Sequence, residues 1–81
     1  MSISTRDELP TAVYRDGRIY VEFPTGVDCS FPVEGNVRLS AGTDAQRANI
    51  RVSRSGLHWP EVDEDLSFEG LLRGDYGQYV R

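Results

Sequence analysis

The first third of the chain alternates apolar and polar residues in short runs that are typical of half-buried β-strands. Residues 12–15 and 18–23 flank Asp16-Gly17, a dipeptide that strongly favours a two-residue hairpin turn. This turn pairs Tyr14 with Ile19 and puts their side chains on one face of the hairpin. The pattern therefore predicts an antiparallel hairpin as the first element of the fold.

A third strand is predicted over residues 27–31. If a three-residue loop ends at Gly26 in the left-handed conformation, Phe23 pairs with Val27 and the apolar residues stay on one face. In this register Cys29 faces the core, and no basic neighbour in the sequence would lower the pKa of its thiol. We therefore expect a buried, unreactive cysteine.

The middle of the chain gives weaker signals. Residues 33–40 fit neither a helix nor a strand clearly, because Gly35-Asn36 interrupts their apolar positions. Thr43 and Gln46 have the spacing of a capping box, in which each side chain bonds the backbone of the other residue. This box predicts a short helix over residues 44–49.

A second hairpin is predicted around Ser55-Gly56, another dipeptide that favours turns. A two-residue turn at this point pairs Val52 with Trp59 and directs the Trp59 side chain into the core. The neighbouring His58 then faces outward, together with Ser53. The hairpin is therefore predicted to place the single tryptophan inside the fold and the single histidine on its surface.

The last predicted element is a short helix over residues 68–72, with Ser67 as its N-cap. Residues 62–66 are predicted to form the loop before it, so the acids 63–65 lie at the helix start. Three apolar residues of the helix form a stripe that would pack on the sheet: Phe68, Leu71 and Leu72.

These elements predict an α+β fold, with an antiparallel β-meander of about five short strands and one or two short helices packed on one face. The 81 residues suffice for one core only. We expect a polar N-terminal arm at residues 1–10, a single α+β domain at 11–73 and a polar C-terminal tail at 74–81.

The net charge of the chain and its distribution indicate which classes of partner are unfavourable. The net charge is −4, which argues against general affinity for nucleic-acid phosphates or anionic membranes. The charge is also uneven, because residues 36–60 are basic on balance and residues 61–81 are acidic. The single cysteine excludes an internal disulfide, and the N-terminus lacks the apolar run of a signal peptide. A cytoplasmic location is expected.

No set of catalytic residues stands out. The chain has no Gly-rich phosphate loop, and the predicted strand phases turn its one cysteine inward and its one histidine outward. We therefore expect a protein that is not an enzyme and needs no cofactor. One alternative stays open, namely a small metal-binding domain or enzyme that uses His58, Asp63 and Asp65.

The stretch around Trp59 is the predicted contact surface for a partner. It combines a large aromatic residue with the densest run of acids in the chain. Trp59 is interpreted either as a core residue or as a partly exposed anchor, and the two are not exclusive. The predicted partner-binding residues are His58, Trp59, Asp63, Glu64 and Asp65.

The stretch from Gly56 to Leu72, with its His-Trp-Pro-x-x-Asp-Glu-Asp string, resembles the bacterial "domain of unknown function 2442" family. The upstream hairpin and the Thr43–Asn49 segment also fit, so the resemblance covers about residues 12–73. It implies a small α+β domain without an established activity. Its members often occur beside a small protein of a second uncharacterised family, which suggests a toxin–antitoxin pair.

These observations together predict a non-enzymatic protein-interaction module. It would be an antitoxin-like or regulatory protein that neutralises a cognate partner with a basic surface through its own acidic surface. An inhibitor encoded by a phage or plasmid is an alternative, and self-association into a homodimer stays open. Direct nucleic-acid binding is not expected, because the chain lacks the two adjacent helices of a helix-turn-helix.

Overall fold

The computed structural model describes residues 8–78, so residues 1–7 and 79–81 of the predicted arm and tail lie outside the described residues. The described part contains six strands and three α-helices. In chain order they are β1 (Thr11–Arg15), β2 (Arg18–Glu22), β3 (Asp28–Pro32), α1 (Val37–Ser40), α2 (Asp44–Ala48), β4 (Arg51–Val52), β5 (Gly56–Trp59), β6 (Glu64–Ser67) and α3 (Phe68–Leu72). The α+β prediction is confirmed, with the strands divided between two three-stranded antiparallel sheets, β1-β2-β3 and β4-β5-β6.

The first sheet has the predicted register. Tyr14 pairs with Ile19, and the turn between them holds Asp16 and Gly17 at φ values of 53° and 80°. The next turn has Gly26 at φ 96°, as the three-residue loop requires. Turn chemistry and the apolar alternation together therefore predicted the pairing of β1, β2 and β3.

The predicted register of β4 and β5 is wrong, because the turn lies one residue earlier than predicted and each residue of β4 pairs two residues earlier in β5. Val52 pairs with Leu57 instead of Trp59, because the central turn residues are Arg54 and Ser55. Gly56 belongs to β5, where a Cβ atom would lie only 2.3 Å from the Leu66 carbonyl oxygen. Because the pairing shifts by two residues, the side chains of β5 still point to the predicted faces of the sheet.

Strand β6 lies where a loop leading into a helix was predicted. It pairs with β5 so that His58 faces Asp65 and Trp59 faces Glu64. Acidic residues disfavour strands, which is why the pattern gave no strand signal here. The acids therefore belong to a strand and the turn before it, and not to a helix start.

The helices follow the capping signals closely. Thr43 and Gln46 form the predicted capping box of α2, and the hydroxyl of Ser67 caps α3 by accepting from the Gly70 N–H at 2.9 Å. Leu72 does not pack on the sheet as predicted, since it is 56% exposed. The buried face of α3 consists of Phe68, Gly70 and Leu71.

The core lies between the inner faces of the two sheets and the helices. Its buried hydrophobic residues are Ile19, Val21, Phe31, Val33, Leu39, Leu57, Trp59, Leu66, Phe68 and Leu71. Residues 76–78, predicted as part of a polar tail, are half-buried, and Tyr76 packs against this core. Tyr76 stacks on Phe31 with 5.2 Å between ring centroids, and Gln78 forms a β-bridge with Asn36.

Arg47 connects the two halves of the fold. Its guanidinium donates to the carbonyls of Leu39 at 2.8 Å and Ser40 at 3.0 Å, which end α1. It also donates to the Tyr14 hydroxyl of β1 at 3.2 Å. Its own carbonyl accepts the indole N–H of Trp59 in β5 at 2.9 Å. One residue thus bonds the first sheet, the first helix and the second sheet.

We predict that Arg47→Ala lowers the free energy of unfolding by about 2–4 kcal/mol, because it removes the donor to the carbonyl of buried Leu39 and the bonds to Ser40 and Tyr14. Arg47→Lys should restore little of this, since an ammonium cannot reproduce the planar fork of donors. Urea unfolding followed by circular dichroism measures the effect. Arg51→Ala, at an exposed arginine, is the control and should cost no more than about 0.5 kcal/mol. Equal losses for Arg47→Ala and Arg51→Ala would contradict the assignment.

Candidate functional site

The outer face of the second sheet carries a row of polar side chains across its three strands. Arg51 in β4 pairs with His58 in β5, which pairs with Asp65 in β6. The Nδ1 atom of His58 and the Oδ1 atom of Asp65 are 2.6 Å apart. Asp65 is nevertheless 76% exposed, so the pair faces solvent and not the core. The predicted outward direction of His58 is confirmed, although its neighbour is Arg51 and not Ser53.

The His58–Asp65 pair borders an open depression of about 290 Å³, lined in part by Ser53, Ser55 and Ser67. The hydroxyl of Ser53 donates to the Gly56 carbonyl at 3.2 Å, and the Ser67 hydroxyl caps α3. Within residues 8–78, His58 makes no hydrogen bond to a serine. The depression thus presents a carboxylate, an imidazole and hydroxyls to a polar ligand. Among the described residues no serine is bonded to His58, so no hydroxyl is activated as a nucleophile.

Asp63 is the most exposed of the predicted site residues. It ends the turn between β5 and β6 with φ at 55°, a left-handed conformation that Asp tolerates better than most residues. Its side chain is 87% exposed and lies 3.9 Å from the Arg38 guanidinium, at the limit of an ion pair. Such a contact contributes little to stability in water, so the carboxylate is available to a partner.

Glu64 is half-buried and lies on the opposite face of β6 from Asp65. Its side chain lies on the same face of β6 as Leu66, and its Oε2 atom accepts from the Asn36 Nδ2 atom at 2.7 Å. Asn36 is fully buried and donates also to the Tyr76 carbonyl at 2.9 Å. The acidic run is therefore divided, with Glu64 holding the fold together and Asp63 and Asp65 turned to solvent.

Trp59 is fully buried, with 0% of its surface exposed. The prediction of a core residue is confirmed, and the indole N–H is already bonded to the Arg47 carbonyl. The interpretation as an exposed anchor is wrong for this structure, because a partner could reach the ring only by opening the sheet. Trp59 positions the β5 strand on which His58 is displayed.

The structure brings together His58 and Asp65, but not Asp63 as a third ligand. Within the described residues no three His, Cys, Asp or Glu side chains lie close enough to share a metal ion. The alternative of a metal site built from these three residues therefore lacks its donor set.

Two important polar residues, Asn36 and Arg47, were missed by sequence reasoning. The Oδ1 atom of Asn36 accepts from the Leu39 N–H at 2.9 Å and caps α1. Asn is among the favoured N-cap residues, and this preference was the available signal. It was obscured because the preceding Gly35 made the pair look like a turn. No local signal indicates the long-range bonds of Arg47.

Comparison with known proteins identifies the family. The profile of the family described as protein of unknown function (DUF2442) matches residues 11–77. The chain belongs to the DUF2442 family. No curated protein matches it.

A solved structure supports the fold of this DUF2442 domain. It is a crystal structure of a protein of unknown function from Rhodospirillum rubrum ATCC 11170, which is 29% identical to this chain. The TM-score is 0.74, and the match covers 89% of this chain and 94% of the other. Within residues 8–78 of this DUF2442 domain, the helices are too short or too polar to span a membrane.

We predict opposite consequences for two neighbouring acids. Glu64→Ala should lower the free energy of unfolding by about 1–3 kcal/mol, because it leaves an amide N–H of buried Asn36 without its acceptor. Asp65→Ala removes only an exposed pair and should cost less than about 1 kcal/mol. Urea unfolding of the two variants measures the difference. A cost for Asp65→Ala as large as that for Glu64→Ala would contradict the division of the acidic run.

Cys29 provides a prediction on reactivity. Burial raises the pKa of its thiol, and the neighbouring Asp28 carboxylate raises that pKa further. A raised pKa means less thiolate at a given pH, so the folded chain should react with iodoacetamide several-fold more slowly than the urea-unfolded chain at pH 8. The folded rate should rise as the pH is increased above the ordinary thiol range. Equal rates for the folded and unfolded chains would overturn this prediction.

Proposed function

We propose that this DUF2442 domain is a non-enzymatic binding module that neutralises or regulates a cognate protein, in the manner of an antitoxin. The observation that carries the proposal is the exposed His58–Asp65 pair, with its 2.6 Å contact on the outer face of the second sheet. These two side chains bond one another on the solvent-facing side of the sheet, so we expect the stability of the fold to depend little on them.

The proposed contact surface consists of His58, Asp63 and Asp65. Asp63 adds a second, highly exposed carboxylate on the turn that leads into the same strand as Asp65. The Asp65 carboxylate, beside a depression lined by hydroxyls, suits an arginine or lysine side chain of the partner, and the exposed Asp63 carboxylate adds negative charge on the preceding turn. The partner is therefore expected to present a basic patch, and opposite charges would accelerate their association.

Glu64 and Trp59 act indirectly in this proposal. Glu64 is bonded to Asn36 and Trp59 is buried, so both hold β5 and β6 in register and neither touches the partner. A substitution at either position would weaken binding only through the fold. The surface is thus smaller than the acidic run in the sequence suggests.

The test begins with untagged purification from the native host and identification of the protein that co-purifies. We expect Asp63→Ala combined with Asp65→Ala to lower affinity for that protein by about tenfold or more, because each carboxylate contributes on the order of 1 kcal/mol when it pairs with a basic group. Isothermal titration calorimetry at two salt concentrations measures the loss and its electrostatic character.

The matched control combines Glu34→Ala with Glu69→Ala, which removes the same charge from two exposed sites outside the proposed contact surface. This control should bind within about threefold of the unchanged domain. If the Asp63 and Asp65 variant binds as tightly as the control, the proposed surface is wrong. An inhibitor of phage or plasmid origin would use the same chemistry, and the identity of the captured protein distinguishes it from an antitoxin.

A further inference from the structure

The outer face of the first sheet carries charges in a self-complementary order. At one end of the strands, Arg15 of β1 pairs with Arg18 of β2. At the other end, Glu22 of β2 pairs with Asp28 of β3. Side chains alternate between the faces of a strand, so these four share the face opposite the buried Ile19 and Val21. The face is therefore basic at one end and acidic at the other.

The middle row of the same face is apolar and aromatic. Val13 of β1 pairs with Tyr20 of β2, which pairs with Ser30 of β3. Val13 is 51% exposed and Ser30 is also exposed, while Tyr20 between them is half-buried. A half-buried tyrosine beside an exposed valine, next to two arginines, has the composition of the centre of a protein interface.

The two cations are held on this face. The Arg15 guanidinium lies 4.5 Å from the centre of the Tyr20 ring, and Arg18 donates to the Ser30 hydroxyl at 2.9 Å. Within residues 8–78 none of the four charged groups of this face makes an ion pair with another side chain. The surface thus presents unpaired charges of both signs in a largely preorganised arrangement.

We propose that this face binds a second copy of the chain in a two-fold symmetric dimer. A two-fold axis that runs across the strands, along the Val13–Tyr20–Ser30 row, reverses the strand direction in the partner. It brings Arg18 of each copy opposite Glu22 of the other and lays the two Tyr20 rings against each other. Such an interface is isologous, since one surface serves both subunits. The surface for the cognate partner, on the second sheet, stays accessible.

The size of the face sets the expected strength. Three strands of five residues cover about 14 by 17 Å, because strands lie ~4.8 Å apart and rise ~3.4 Å per residue. This is well below the ~800 Å² per partner of a typical stable interface. We therefore expect a weak, salt-sensitive dimer, with a dissociation constant between about 10 µM and 1 mM.

The experiment is a charge swap followed by analytical ultracentrifugation of the full chain up to about 1 mM. Arg18→Glu and Glu22→Arg should each weaken self-association by at least about tenfold, because each puts like charges opposite one another twice in the dimer. An equimolar mixture of the two variants should regain association. In that mixed dimer, Glu at position 18 meets Arg at position 22, and the unchanged Glu22 meets the unchanged Arg18. Circular dichroism verifies that each variant is folded.

Glu34→Arg is the control, since it reverses an exposed charge outside this face and should leave self-association unchanged. Tyr20→Ala should weaken the dimer without making it more sensitive to salt. The proposal is overturned if the unchanged chain is monomeric throughout the concentration range. It is also overturned if both single variants associate as before, or if their mixture associates no better than either alone.

Discussion

The arrangement of this domain depends on the bonds of Arg47. The two sheets share no strand pairing within residues 8–78, so backbone hydrogen bonds do not join them. Arg47 bridges them instead, because its guanidinium reaches Tyr14 of β1 while its carbonyl accepts from Trp59 of β5. A guanidinium suits this position, since its fork of donors satisfies several acceptors at fixed angles. Burial of the core residues stabilises the fold, and the bonds of Arg47 fix the position of one sheet relative to the other.

Asn36 makes a second polar connection of the same kind. It caps α1 and donates to Glu64 in β6 and to the Tyr76 carbonyl, although it is fully buried. A buried amide is stable only when its donors and acceptor are satisfied, and in this chain each of them is. One of the acceptors is the Glu64 carboxylate, so this member of the acidic run has a structural role. Asp65 is exposed because it points to the opposite face of β6, and Asp63 is exposed because it lies in the turn before that strand.

The first sheet was predictable because its registers are local properties. Asp16-Gly17 defines the first turn, and the apolar alternation selects the three-residue loop that ends at Gly26. Every pairing in β1, β2 and β3 follows from these two signals. The same rule failed at Gly56, because that glycine serves a close backbone contact with β6 and not a turn. Strand β6 itself was hidden, since its acids disfavour strands and only pairing with β5 makes it one.

The candidate site was also predictable only in part. Alternation along a strand correctly turned His58 outward and Trp59 inward even though the register was shifted, because a shift of one turn position keeps the faces. The role of Glu64 could not be read from the sequence, because its partner Asn36 is 28 residues away. The similarity to the Rhodospirillum rubrum structure supports the fold class, while the proposed function rests on the exposed residues.

The burial of Trp59 gives this domain an intrinsic optical reporter. It is the only tryptophan of the chain, and its indole lies where β5 meets the residue that joins the two sheets. Its fluorescence therefore comes from one environment, apolar and shielded from water. Separation of the sheets would expose the ring and shift its emission to longer wavelength, whereas contacts on the outer faces would leave that emission unchanged.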